Sequence, residues 1–351
     1  MLTANRTDQG IARCKELLLD GMRICADAGL TCVYSDDFGA AGFTMETVAQ
    51  AYLELSCENV MPIRVLEQCY MPASDGPERF RKAGYGYMKG NDSFRFGPRK
   101  MYADGGIGAR TAWLSRPYAD KPDTTGVPVT DRIQLTKEII RTHDMGMPVV
   151  VHAIGDAAVE CVLDSIEAGR RQGPAGKFRD GVIHCQISSE NTLHRIREVD
   201  ADIYVQPIFL DYDLHICEAR VGHELATTSY QWKTILNSGV CISSGSDCPV
   251  NTCDAAQNIY CAVNRQDFSG YPAGGWFPEQ RLTVEEAIRC HTVQAALAGG
   301  LERDIGLISP GKLADFTVYP EPMDRIDPAV IKDQIPLMTV VGGKIRLHGT
   351  V

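Results

Sequence analysis

The sequence holds no apolar run near the ~20 residues that a membrane-spanning helix needs. Its first residues, MLTANRTDQG, lack the charged-then-apolar order of a secretory signal. No basic block offsets the surplus of 45 Asp and Glu over 35 Lys and Arg, which leaves a net charge of −10. That balance argues against binding along a phosphate backbone, so neither nucleic acid nor a membrane is an expected partner. No CxxC pair occurs among the 13 cysteines. Cys25, Cys161, Cys241 and Cys261 lie in apolar or helical stretches, where a free thiol packs as a small hydrophobe. The expectation is a reduced, cytoplasmic chain and not a disulfide scaffold. Internal repeats and low-complexity segments are also missing.

What is present is an alternation of helix-like and strand-like segments. Apolar residues at helical spacing over 7–28 (Ile11, Cys14, Leu18, Met22, Cys25) lead into the strand TCVYSDD at 31–37. Thr44 is placed to cap a helix over about 44–57, and PIRVLEQCY at 62–70 reads as the next strand. Residues 72–95, rich in Gly, Asp, Arg and Lys, read as a loop. Further strands are expected at 99–104, 147–153, 181–186, 201–207 and 240–247, with helices at 131–144, 155–171, 190–198, 228–238 and 283–298. Seven strands, each followed by a helix or a long loop, require parallel pairing with right-handed crossovers. After residue 300 short strands divided by Pro and Gly replace the helices. The expected division is therefore an α/β barrel over 1–300 and part of a small β-sandwich over 301–351.

Four polar residues stand at or just beyond the ends of separate apolar runs: Lys100, His152, His184 and Asp247. A barrel brings such residues together, because its reactive groups come from the C-terminal ends of several strands. His152, in VVVHAIGD, and His184, in GVIHCQ, are one β-α unit apart, and neutral imidazoles from adjacent strands can share one Zn²⁺. Asp247, in SSGSDCPV, reads either as a helix cap or as a carboxylate at the same site. Lys100 is ordinarily a surface charge; pointing into a barrel it is a costly unpaired cation unless CO₂ converts it to a carbamate. Asp104 and Arg110, in the following loop, could contact substrate or could serve loop packing and a surface ion pair. His291 reads as structural.

Six strings, in order, resemble the metal-dependent amidohydrolase superfamily, in the branch that includes N-substituted formamide deformylase. They are KMYADGGIGARTAWL (100–114), VVVHAIGDAAVECVLD (149–164), VIHCQ (182–186), SGSDCPV (244–250), LTVEEAIRCHTVQAALAGG (282–300) and GLISPGKLADFTVY (306–319). The resemblance implies a (β/α)8 TIM barrel carrying a small β-sandwich. It also implies Lys100 as a carboxylated bridge between metals, His152 and His184 on one metal, and Asp247 acting on the hydrolytic water. One or two divalent ions are implied, zinc by default, with manganese, iron or cobalt also suited to these donors.

The family pattern opens with an HxH pair on the first barrel strand. This sequence has eight His, at 143, 152, 184, 194, 215, 223, 291 and 348, and no two are two residues apart. The barrel is therefore expected to lack its first strand and to leave two parallel edges unpaired. A second copy, a separate upstream polypeptide, or an altered closure has to cover that seam. The function implied is hydrolysis of a non-peptide C–N bond in an N-formyl or N-acyl amide. A non-catalytic remnant or half of a split enzyme is the alternative, and a related deaminase or lactonase is a third reading.

Overall fold

The computed structural model of the chain describes residues 10–174 and 178–348. It begins with α1 (Gly10–Asp27), β1 (Cys32–Ser35), α2 (Met45–Cys57), β2 (Arg64–Tyr70), α3 (Gly76–Lys82) and β3 (Phe94–Tyr102). It continues through α4 (Arg132–Asp144), β4 (Val149–Ala153), α5 (Asp156–Gln172), β5 (Gly181–His184), α6 (Glu190–Val199) and β6 (Asp202–Val205). Then come α7 (Leu210–Asp213), α8 (Cys217–Thr227), α9 (Trp232–Asn237), β7 (Ile242–Ser244), α10 (Ala255–Asn264), α11 (Val284–His291) and α12 (Val293–Ala298). The last strands are β8 (Phe316–Val318), β9 (Met338–Val341) and β10 (Lys344–His348).

Strands β1 to β7 form one sheet in sequence order, and every neighbouring pair is parallel. The architecture is the α/β barrel type with one strand missing, joined to a three-stranded antiparallel sheet in the order β10-β9-β8. Helix starts follow local chemistry. Thr44 accepts from the N–H of Thr47, and Thr283 and Glu286 form a reciprocal capping box at α11. The helix expected over 283–298 breaks at Thr292, whose φ of −123° and ψ of −87° separate α11 from α12.

That break positions α12 to fill the open side of the curled sheet. Tyr34 of β1 donates its hydroxyl to the carbonyl of Ala295. Tyr204 of β6 donates to Ala298 O at 3.1 Å, and Cys241 Sγ, just before β7, lies 3.3 Å from Gln294 O. With Val150 and Ile183 these residues make a small interior cluster against Leu297 and Ala298. The edges β1 and β7 do not pair with each other, yet α12 touches residues at both. The larger cores lie outside the sheet, one under α4 to α11 and one under α1 and α2.

Residues 72–95 are not all loop, as the composition suggested. They hold α3 and the start of β3. Pro77 sits in the first turn of α3, and its single buried large apolar residue, Phe80, packs edge-on to Phe96 at 5.3 Å between centroids.

Candidate metal centre

Parallel register sets the row in which the candidate residues stand. Lys100 pairs with Val150, Tyr102 with His152, His152 with Ile183, and Ala153 with His184. Lys100 and Tyr102 are two apart on β3 and share a face, as do Val150 and His152 on β4. His184 breaks the alternation. Ile183 faces the interior cluster, so a regular strand would aim His184 toward the helices. Its φ of +78°, followed by +48° at Cys185, turns the imidazole back across the top of the sheet. Left-handed backbone at two consecutive non-glycine residues costs energy and concentrates at functional sites.

The result is a pair of crossed imidazoles. The His152 and His184 rings lie 4.4 Å apart at 73°, and Tyr102 lies 5.1 Å from His152. His184 Nδ1 is 2.7 Å from Gln206 Oε1, while Gln206 Nε2 donates to Tyr204 O at 3.2 Å. Nδ1 of His184 therefore carries the proton, and its Nε2 keeps a free lone pair. His152 Nε2 faces the Gly105 carbonyl at 3.3 Å, which leaves Nδ1 as the free position. Burial holds both rings neutral. It lowers His152 to about 4, with the field of Lys100 adding to it. Burial, His152 and Lys100 together take His184 well below the usual imidazole range.

The sign of a stability effect follows. An unfolded His titrates near 6.5 and folded His152 near 4, so between those values the unfolded chain binds more protons. The stability tied to neutral His152 is fully present above about pH 6.5 and lost on descent to about pH 4, about 3 kcal/mol in all. Urea unfolding of the metal-free protein across this range should show that slope, reduced in His152→Gln. Equal slopes in the two proteins would refute the assignment.

Lys100 is buried, with its Nζ 3.5 Å from Asp36 Oδ2 and 4.8 Å from the centre of the Tyr102 ring. Tyr102 donates its hydroxyl to the same Asp36 oxygen at 3.1 Å, whereas the other, Oδ1, is buried without a partner among the described residues. Asp36 is a site residue the sequence reading passed over, although SDD ends a strand as the other candidates do. Glu67 of β2 fixes that strand end, accepting from the N–H groups of Asp37 and Phe38 at 2.9 and 3.1 Å. Glu67 is fully buried, and desolvation with the nearby Asp37 and Asp36 pushes its carboxyl well up.

Asp247 stands across the mouth with φ +56° and an accessible side chain. The surrounding protein raises its carboxyl, Lys100 lowers it, and Asp36 raises it again. Asp104 lies beneath the mouth and is 2% exposed. Its oxygens accept from the N–H groups of Trp113, Ile154 and Gly155 at 2.8–3.0 Å, and Oδ1 is 3.5 Å from His152 Nε2. Arg110 forms a fork onto Asp120 at 3.0 and 2.7 Å, and Arg220 donates to the same carboxylate. Those geometries describe a loop anchor and an ion-pair network. His291 Nε2 is buried without a partner among the described residues.

Among the described residues no three His, Cys, Asp or Glu side chains converge as a metal site. Two neutral imidazoles, each with one ring nitrogen left free, and the orphaned Asp36 Oδ1 nevertheless suit a divalent cation. A further donor would come from Lys100 in an anionic form or from Asp247.

The strand ends of this barrel-type sheet gather polar residues at one mouth, and sequence comparison specifies the family. A family model described as the amidohydrolase family matches residues 2–347, and the chain belongs to that family. It is 32% identical to YtcJ of Bacillus subtilis (strain 168) over 330 residues, covering 94% of this chain and 60% of YtcJ. It is 28% identical over 217 residues to N-substituted formamide deformylase of Arthrobacter pascens, covering 60% of this chain and 38% of that enzyme. The fold matches the crystal structure of an uncharacterized metal-dependent hydrolase from Pyrococcus horikoshii OT3 with a TM-score of 0.80. That match, at 24% identity, covers 91% of this chain and 62% of the other. The chain thus spans less than two thirds of the length of each of these relatives. Among the described residues, no helix is long and apolar enough to cross a membrane.

Proposed function

We propose that this chain hydrolyses a non-peptide C–N bond, of the N-formyl or N-acyl amide kind, at the centre formed by His152, His184, Lys100 and Asp247. The observation that carries the reading is the crossed imidazole pair, 4.4 Å apart, held neutral by burial and oriented by Gln206 and the Gly105 carbonyl. His152 and His184 would hold a divalent metal, zinc by default, with Lys100 as a CO₂-derived carbamate and Asp247 alongside. When bound, the metal supplies polarisation of the substrate carbonyl and acidification of a water. Asp247 takes the proton from the attacking water and returns it to the departing nitrogen, which an amide requires. Tyr102 and Asp36 flank the Lys100 side chain. The amide class draws support from the likeness to N-substituted formamide deformylase; deamination and lactone opening use the same groups.

One observation favours a second reading. Lys100 meets Asp36 as an ion pair, and no three of the usual ligands converge among the described residues. A non-catalytic remnant, or half of a split enzyme completed by a second copy or a separate segment, would show this arrangement. Elemental analysis after incubation with zinc and bicarbonate, with molecular mass measured on the same sample, separates the two. About one metal per chain with turnover of N-formyl amines supports hydrolysis. Failure to bind metal supports the remnant. About two metals in an oligomer means that ligands are shared between chains. Cyclic amidines and lactones in the same assay distinguish the neighbouring chemistries.

A further inference from the structure

The left-handed turn that aims His184 is costly for residues with side chains, so its surroundings have to hold it. His184 and Cys185 make the turn, with φ of +78° and +48°, and the chain leaves it at Gln186. Gln186 is buried and gripped at both its backbone and its side chain. Its carbonyl accepts the N–H of Tyr230 at 2.8 Å, and its Nε2 donates to Asp213 Oδ2 at 3.1 Å. The Tyr230 hydroxyl donates to the same Asp213 oxygen at 2.7 Å, so Gln186, Tyr230 and Asp213 close a ring. Tyr230 is a fixed post. It is buried, its own φ is +53°, and its carbonyl accepts from Arg265 Nη1 at 2.9 Å. The Arg265 guanidinium is in turn wedged between Trp232 and Trp276, 4.7 and 5.4 Å from their ring centres.

Asp213 reaches His184 by a second route as well. It ends α7, four residues after Phe209, whose ring stacks on the His184 imidazole at 6.0 Å and 20°. One carboxylate therefore ties down both the turn that aims the imidazole and the segment that packs on it. Both of its side-chain hydrogen bonds come from neutral donors, and neither donor is a candidate ligand. We infer that Asp213 is a positioning residue for His184: it anchors the turn so that the imidazole keeps its Nδ1 proton on Gln206 and its Nε2 free. The tautomer of a neutral imidazole is set by the hydrogen bond its other nitrogen makes, so a ring that swings away from Gln206 loses that preference. The purpose of the anchor rests on the metal-centre reading proposed above, whereas the anchoring itself belongs to the metal-free chain.

The test is nitrogen NMR of the full, metal-free chain carrying isotope-labelled histidine, with the His184 signals assigned by their loss in His184→Gln. Zinc affinity is measured beside it by competition with a chelator. In the native chain His184 should be a pure Nδ1–H tautomer. Asp213→Leu should convert it to a mixture of tautomers and weaken zinc binding by about 10–100-fold, as loss of groups that orient metal-binding histidines does. Asp213→Asn, whose carbonyl oxygen can accept both hydrogen bonds, should keep the tautomer and the affinity. Should Asp213→Leu not fold, Tyr230→Phe, which removes one hydroxyl donor, carries the comparison. Retention of the pure tautomer in the variant compared would overturn the inference. An equal loss in Asp315→Ala, a change at the small sheet, would also overturn it, because the effect would then be general softening. If the tautomer depends on Asp213 but no zinc binds, the anchor stands and the metal-centre reading falls.

Discussion

Asp247→Asn is expected to lower kcat on any amide this protein hydrolyses by roughly 10²–10⁴-fold, with bound metal retained. The substitution keeps the shape of the side chain and removes only its basicity. It also keeps the backbone, since Asn tolerates the left-handed conformation that Asp247 adopts at φ +56°. The turn itself is held from outside, by Val250 N–H on the Asp247 carbonyl at 2.8 Å and by Asn258 Nδ2 on Gly245 O at 2.9 Å. Metal retention follows if the two imidazoles carry most of the binding. The native carboxylate is a titrating base, so its protonation gives the rate profile an acidic limb. That limb should vanish in the variant. Unchanged kcat with an unchanged acidic limb would remove Asp247 from the chemistry.

Most of the sheet was legible because parallel barrel strands are buried on both faces and read as continuous apolar runs. All seven strands fall inside or overlap the segments expected from hydrophobic patterning, and His152 and His184 lie at the strand ends anticipated for them. What stayed hidden has physical causes. Helix α3 carries one large buried apolar residue, so no periodicity marks it. Helix α8 is interrupted at Gly222, whose φ of 79° and ψ of 161° break its repeat. The inward turn of His184 depends on positive φ at two residues with side chains, which neither residue type announces. Asp36 escaped because its role is relational: it is the partner of Lys100 and Tyr102, which only strand pairing brings near it. The unpaired seam was foreseen. The way α12 fills it was not, because a capped, apolar helical stretch gives no sign of the break at Thr292.

Asp315→Ala should destabilise the chain by about 3–5 kcal/mol, as removal of one partner from a buried ion pair does. Asp315 precedes β8 and meets Arg64 at the start of β2, so the pair joins the small sheet to the barrel sheet. Arg64 Nε and Nη2 grip both oxygens at 2.6 and 2.9 Å, and the side chains are only 9% and 3% exposed. The remaining donors are also used. Arg64 Nη1 donates to Asp92 O at 2.6 Å, and Gly342 N–H donates to Asp315 Oδ1 at 2.7 Å. Removing the carboxylate therefore strands a buried guanidinium and an amide together. If burial of an unpaired charge is the cause, Arg64→Met combined with Asp315→Ala should be less damaging than Asp315→Ala alone, which additive losses cannot produce. Urea unfolding of the two variants beside the native protein checks this. A single-variant loss below about 1 kcal/mol would mean that water reaches the pair and that it behaves as a surface bridge.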